Sequence, residues 1–180
     1  VMGVDDVQQL VDEGRDHYRR GEFEAALRCF ESAHAAAQAA GKDAQAAEAA
    51  NDLGVVCIVL QRWESAEEWL NKAQRIFTAL QDLDGEAQTL GNIGSMYRAR
   101  GNLRDAAVYF QLAADRFRLV GGDTRRSSTL RSLGMVRLRQ FRPFLALVAF
   151  EAACACQPNP NLIQRALRNL LALPLRLLQR

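Results

Sequence analysis

Histidine is almost absent from this sequence, with His17 and His34 the only two in 180 residues. Neither stands in a spaced pattern of Cys and His ligands, so no metal centre is expected. His17 falls where a packing residue belongs, and His34 lies on what reads as the surface of a helix. Aromatic residues make up 7% of the chain. Four cysteines occur, Cys29, Cys57, Cys154 and Cys156, and Cys154-x-Cys156 has the wrong spacing for the common zinc and redox pairs. They are expected as free thiols behaving like small apolar side chains, which points to a cytoplasmic setting. No basic start leads into an apolar run, so a secretory signal is not expected. No stretch approaches the roughly 20 apolar residues of a membrane span. No glycine-rich loop follows a strand, because no strand pattern is present. Paired acids such as Glu67-Glu68 read as solvated. No enzyme, cofactor or metal is therefore expected.

Charge is present but unevenly spread. Lysine occurs twice against 21 arginines, a bias read as that of a high-GC genome. Residues 1–80 hold 8 basic and 14 acidic residues, a net −6, while residues 81–180 hold 15 basic and 7 acidic, a net +8. Such asymmetry can steer an acidic partner or favour head-to-tail association of copies. The arginines Arg125, Arg126, Arg131, Arg137, Arg139 and Arg142 cluster, but only Phe141 is interleaved as a stacking residue. The overall charge is +2, so nucleic acid is not the expected partner. A membrane is not expected either.

What the sequence has in abundance is self-similarity. With Gly94 as origin, Tyr97, Gly101, Leu103, Ala106, Phe110 and Ala113 follow at offsets three, seven, nine, twelve, sixteen and nineteen. The same offsets from Gly54 give Cys57, Gln61, Trp63, Ala66, Leu70 and Ala73, and from Gly134 they give Arg137, Phe141, Pro143, Ala146, Phe150 and Ala153. From Gly14 they give His17, Gly21, Phe23, Ala26, Phe30 and Ala33. Four copies at an interval of 40 residues read as four pairs of helices. The small residues at offsets zero, twelve and nineteen bring backbones close. A lone pair cannot bury its apolar face, so the pairs must stack into a solenoid.

The pattern Leu-Gly-x-x-Tyr, Gly-x-Tyr/Phe, Ala, Phe, Ala resembles the tetratricopeptide repeat, whose usual period is about 34 residues. The longer spacing here is similar to that in kinesin light chains and in Leu-Gly-Asn-rich spindle-orientation adaptors, as in Leu90-Gly91-Asn92-Ile93-Gly94. The resemblance covers about residues 4–158. It implies an all-α, right-handed superhelical solenoid that binds proteins or peptides without catalysis. The weakest matches are Glu13 before the first glycine and Pro143 in the fourth unit.

Helices are expected at about 4–20, 22–40, 43–60, 62–80, 86–100, 102–120, 123–140 and 143–156. Asp43 and Asp123 are expected as N-caps, and Asp82 to Gly85 as a turn. The repeat domain is placed at residues 1–158, in units of about 4–41, 43–82, 84–122 and 123–158. Residues 159–180 form a separate leucine-rich, arginine-bearing segment. It is read as a helix capping the solenoid, with pairing to another chain or lying on an anionic membrane as alternatives.

In the resembled family, one stripe of each first helix lines the concave groove. Offsets −6, −3, +1 and +5 fall within about 80° of one another on a helix. That stripe contains Gln8, Val11, Arg15 and Arg19, then Glu48, Asn51, Val55 and Val59, then Gln88, Gly91, Ser95 and Ala99, then Ser128, Arg131, Met135 and Arg139. Tyr18, Ile58, Arg98 and Leu138 stand at its edge, and Asn92 lies one position outside. The expected site is thus Arg15, Tyr18, Arg19, Asn51, Val55, Ile58, Val59, Asn92, Ser95, Arg98, Arg131, Met135 and Arg139. Small apolar residues form its centre and arginines its two ends. The expected ligand is a peptide with apolar anchors and acidic flanks. Alternatives are a groove left to solvent, or a scaffold of copies joined through the oppositely charged halves or the tail.

Overall fold

A computed structural model describes residues 4–156. It contains eight helices: α1 Val4–Arg19, α2 Phe23–Ala39, α3 Asp43–Val59, α4 Trp63–Ala79, α5 Leu83–Ala99, α6 Leu103–Leu119, α7 Asp123–Arg139 and α8 Pro143–Ala155. No strand occurs among the described residues. Each helix packs on the next, so the pairs α1/α2, α3/α4, α5/α6 and α7/α8 stack in order. First helices also touch across units, α1 with α3 and α3 with α5. Second helices make no comparable contact with one another. The stack therefore curves, with first helices lining the concave side and second helices splayed on the convex side. This is the all-α solenoid that the period implies.

The packing has one recurring contact. A Cβ added to Gly14 would lie 2.7 Å from the Phe30 ring. At Gly54 it would lie 2.5 Å from Leu70 Cγ, at Gly94 3.0 Å from Phe110, and at Gly134 2.5 Å from Phe150. Each helix pair is closed by the offset-sixteen side chain seated on the bare backbone at offset zero. The alanines at offset twelve, Ala26, Ala66, Ala106 and Ala146, are all buried. They let the second helix lie flush.

The connections repeat as well. Offset seven is left-handed in all four units: Gly21 and Gly101 at φ 78° and 85°, but Gln61 and Phe141 at 57° and 58°. Glycine is adapted to that backbone, whereas a bulky side chain there is strained. Asp82 is the N-cap of α5, its Oδ1 accepting from Asp84 N–H at 3.1 Å and Gly85 N–H at 3.0 Å. The expected turn at Asp82–Gly85 is thus the first turn of α5, and Gly85 is buried under Phe77. Asp43 and Asp123 are not N-caps. Each is the first residue of its helix, with Lys42 and Gly122 at the caps and no side-chain cap bond. Their charge still faces the positive helix end. The segment 159–180, with its expected capping role, lies outside the described residues.

His34 corrects another expectation. Instead of facing solvent it is buried, because offset twenty of the first unit packs beneath the second. Its ring stands edge-on to Trp69 at 5.1 Å. Its Nδ1 lies 2.8 Å from the Ala46 carbonyl oxygen and must donate there. Nε2 is then the acceptor for Lys72 Nζ at 2.7 Å. Burial pushes the His34 pKa down, the Ala46 carbonyl opposes this, and the Lys72 charge adds to the lowering. Cys57 and Cys156 are buried, Cys29 and Cys154 half-buried, and all four thiols are free.

Two predictions follow from these contacts. Gly54→Ala should destabilise the protein, since overpacking costs about 1–3 kcal/mol against a helix-propensity gain of roughly 1 kcal/mol. Gly91→Ala, whose Cβ would meet nothing closer than Ala113 at 4.0 Å, should be neutral or stabilising by up to about 1 kcal/mol; urea unfolding of the pair checks both. Because folded His34 resists protonation while the unfolded residue titrates near about 6.5, its contribution is complete above that pH and is lost as pH falls below it. The stability drop between pH 7 and 5 should therefore be shallower in His34→Phe than in the parent protein.

Candidate functional site

The concave side is built from the exposed face of α1, α3, α5 and α7. Side chains there bridge adjacent units, because residues about one period apart sit side by side. Asn92 Nδ2 donates to Asn51 Oδ1 at 2.9 Å. Arg15 reaches across from α1, with Nε and Nη2 each 3.2 Å from Asp52 Oδ2 on α3. Arg125 of α7 grips Asp84 of α5 with both Nη atoms, at 2.7 and 2.6 Å. Gln88 Nε2 donates to the same carboxylate at 2.8 Å. Burial pushes the Asp52 carboxyl up, and the Arg15 charge opposes it.

Two cavities open on this side. One of about 270 Å³ lies between α1, α3 and α5 and is lined by Arg15, Glu48, Asn51, Asp52, Asp84 and Gln88 among others. The second, about 250 Å³, lies between α5 and α7. Asn92, Ser95, Arg125, Ser128, Thr129 and Ser132 give it a lining of amides, hydroxyls and one guanidinium. Both can exchange hydrogen bonds with a peptide backbone. The first also has an excess of carboxylates over its single arginine.

The expected site residues divide into groups. Asn51, Asn92 and Ser95 come together on the cavity walls, with Ser95 Oγ donating to Gly91 O at 3.0 Å. Arg15 joins the first cavity but is held by Asp52. Val55 and Ile58 are half-buried and Val59 is 40% exposed; none of the three lines either cavity. The apolar centre is therefore a short strip beside a polar floor. Arg19 pairs with Asp16 within α1 at 3.0 Å. Tyr18 packs edge-on to Phe23, and Arg98 lies over the Phe110 ring at 5.7 Å. Arg131, Met135 and Arg139 are exposed on α7. Neither arginine has an ion-pair partner among the described residues. Val11, on the expected stripe, belongs to the core instead.

Ser128, on the expected stripe, lines the second cavity, whereas Asp52, Asp84, Arg125, Thr129 and Ser132 were not expected. A signal for some of them exists: offset −2 reads Asp12, Asp52, Asn92 and Ser132, polar in every unit. Spacing alone does not reveal that this position faces the groove and not open solvent. Elsewhere on the molecule, no group of three or more His, Cys, Asp or Glu side chains suited to a metal occurs among the described residues. No described helix is long and apolar enough to cross a membrane.

This architecture agrees with comparison to known families. The tetratricopeptide repeat model matches residues 10–79 and 85–159, and the chain belongs to that family. No curated protein matches it in sequence. Among solved structures it is similar to BtubC (BKLC) from P. vanneervenii, with a TM-score of 0.74 and 19% identity over 86% of this chain and 67% of that one. It is also similar to PilF of Pseudomonas aeruginosa, with a TM-score of 0.68 and 20% identity over 96% of this chain and 70% of that one. Identities this low speak to the shared fold.

Proposed function

We propose that this protein is a non-catalytic interaction module that holds an extended peptide segment of a partner along its concave side. The observation that carries the reading is the row of unit-bridging polar groups, Arg15–Asp52, Asn51–Asn92 and Arg125–Asp84. It sets hydrogen-bonding side chains at regular intervals above two cavities. Backbone recognition by such groups gives affinity, and the flanking side chains give specificity. The groove is electrically polar along its length. Carboxylates gather around α3 and the start of α5, and Arg131 and Arg139, unpaired among the described residues, stand on α7. A peptide's acidic flank therefore belongs at the α7 end, with Val59 and Met135 as apolar contacts. Arg15 serves to hold α1 on α3 and is not the primary anchor for an acidic residue.

A second reading, a self-assembling scaffold, is favoured by one observation: residues 1–80 carry a net −6 and residues 81–180 a net +8, charges that would attract one another between copies. Exposed charge attraction of that kind weakens with salt.

A photo-crosslinking amino acid placed at Val55 or Ser95 should trap the partner, whereas one placed at Thr78 on the convex helix α4 should not. Arg131→Glu together with Arg139→Glu should weaken capture by roughly tenfold, equivalent to about 1.4 kcal/mol, with helicity by circular dichroism unchanged. Equal trapping from Thr78, or capture untouched by the double reversal, removes the reading. Light scattering that shows assemblies dissolving as salt rises supports the scaffold instead.

A further inference from the structure

The convex side carries a second feature. Offset fifteen lies on the second helix of each unit, beside the junction with the unit before it. At the first junction this residue is Trp69, set edge-on against His34. At the second it is Tyr109, stacked on Tyr97 of its own unit at 5.4 Å with 20° between the rings. Both rings pack against the buried cluster that contains Cys57, Leu70, Ile93 and Met96. At the third junction every one of these positions shrinks or changes character. Offset fifteen is Ala149, the counterpart of His34 is Ala114, and the counterpart of Tyr97 is Arg137.

The result is a cavity of about 310 Å³ between α6, α7 and α8. Its floor is apolar, made by Leu130 and Leu133 with Ala114 and Ala149. Its outer wall is Leu145 and Val148, exposed at 42% and 39%. Three arginines stand at its mouth, Arg118 from α6 and Arg126 and Arg137 from α7, with Asp115 as the single carboxylate. None of the three makes an ion pair among the described residues, although Arg137 donates to Gln140 Oε1 at 3.2 Å.

We infer that this notch is a docking site for an aromatic side chain on an acidic peptide segment of a partner protein. The chain itself shows what fits, because two earlier copies of the same position are filled by Trp69 and Tyr109. A ring supplied from outside would regain the burial that Ala149 forgoes, and large aromatic anchors in pockets dominate interface energetics. The arginine rim selects carboxylates beside the anchor, and guanidinium groups also favour aromatic faces. The notch is flush with the exposed Leu145 and Val148, so flanking peptide has a surface to lie on. This site is on the opposite face from the concave groove, and its failure would leave that reading intact.

The test is calorimetric titration of the full chain with the capped peptide Asp-Glu-Trp-Glu-Asp. Saturable binding is expected, at least about tenfold weaker when the peptide's Trp is replaced by Ala. Ala149→Trp should fill the notch, raise the melting temperature and abolish binding. Ala149→Leu provides a smaller plug if the larger variant does not fold. Arg118→Glu with Arg126→Glu should weaken binding by at least about tenfold while leaving the melting temperature unchanged. Undiminished binding to both Ala149 variants overturns the inference. So does indole-3-acetate binding as tightly as the peptide, which would make this a small-molecule pocket. Absence of binding, with Ala149→Trp lowering the melting temperature, means that residues 157–180 already occupy the notch. Absence of binding with concentration-dependent self-association means that a second copy does. Either result overturns it.

Discussion

Everything in this molecule rests on a side chain lying against bare helical backbone. Phe30, Leu70, Phe110 and Phe150 each seat on a glycine whose Cβ would come within 3.0 Å or less of them. A helix carrying a glycine in its interior gives up roughly 1 kcal/mol of propensity. The contact returns more than that, because it lets Phe30, Leu70 and Phe110 bury fully, and Phe150 partly, in the narrow space between two helices. It also fixes the separation of the pair, and so the angle at which the next pair can be laid. With that separation repeated four times, curvature follows without any further instruction. Side chains a period apart then meet across neighbouring first helices.

That last consequence turns packing into a candidate binding surface. Residues 37 to 41 apart in sequence, such as Arg15 and Asp52 or Arg125 and Asp84, become neighbours only because the stack keeps its register. These bridges are half-exposed, and surface ion pairs contribute little stability by themselves. Their value lies in holding side chains in place and leaving the rest of each group's hydrogen-bonding capacity directed outward. A ligand meeting such a row does not have to freeze the side chains itself, and so loses less entropy on binding.

The fold could be read from spacing because its determinants are local and small. Gly54, Ala66 and Ala73 tolerate nothing larger, so they leave an unambiguous trace. Helix ends at left-handed turns were legible from Gly21 and Gly101, and were reached even where Gln61 and Phe141 occupy the same turn without the glycine signal. The cap assignments at Asp43 and Asp123 missed by one residue, since a carboxylate favours either position at a helix start. The groove was less legible for a different reason. A periodic stripe gives direction around a helix but not the depth at which a residue sits or whom it pairs with. Val11 shares the stripe and is core. Arg15 shares it and is neutralised by Asp52, a residue one position off the stripe that only three-dimensional register brings alongside.

The departures from the repeat are more informative than the repeat itself. A position that packs the same way in each unit is constrained by its neighbours, so it is expected to hold the same size of side chain. Trp69 and Tyr109 obey that constraint and Ala149 does not, while Ala114 and Arg137 depart at the same junction. One small residue alone would leave a void that neighbours could collapse into. Here α7 keeps its place through Ser127 Oγ donating to Ala153 O at 2.8 Å and through Gln140 Nε2 donating to Leu103 O at 2.6 Å. The first bond ties α7 to α8 within the fourth unit, and the second crosses the junction to α6, so both anchor α7 beside the notch. A solenoid thus acquires sites by subtraction. The scaffold supplies identical sockets, and removing one internal ring leaves a shaped vacancy with its rim free to vary.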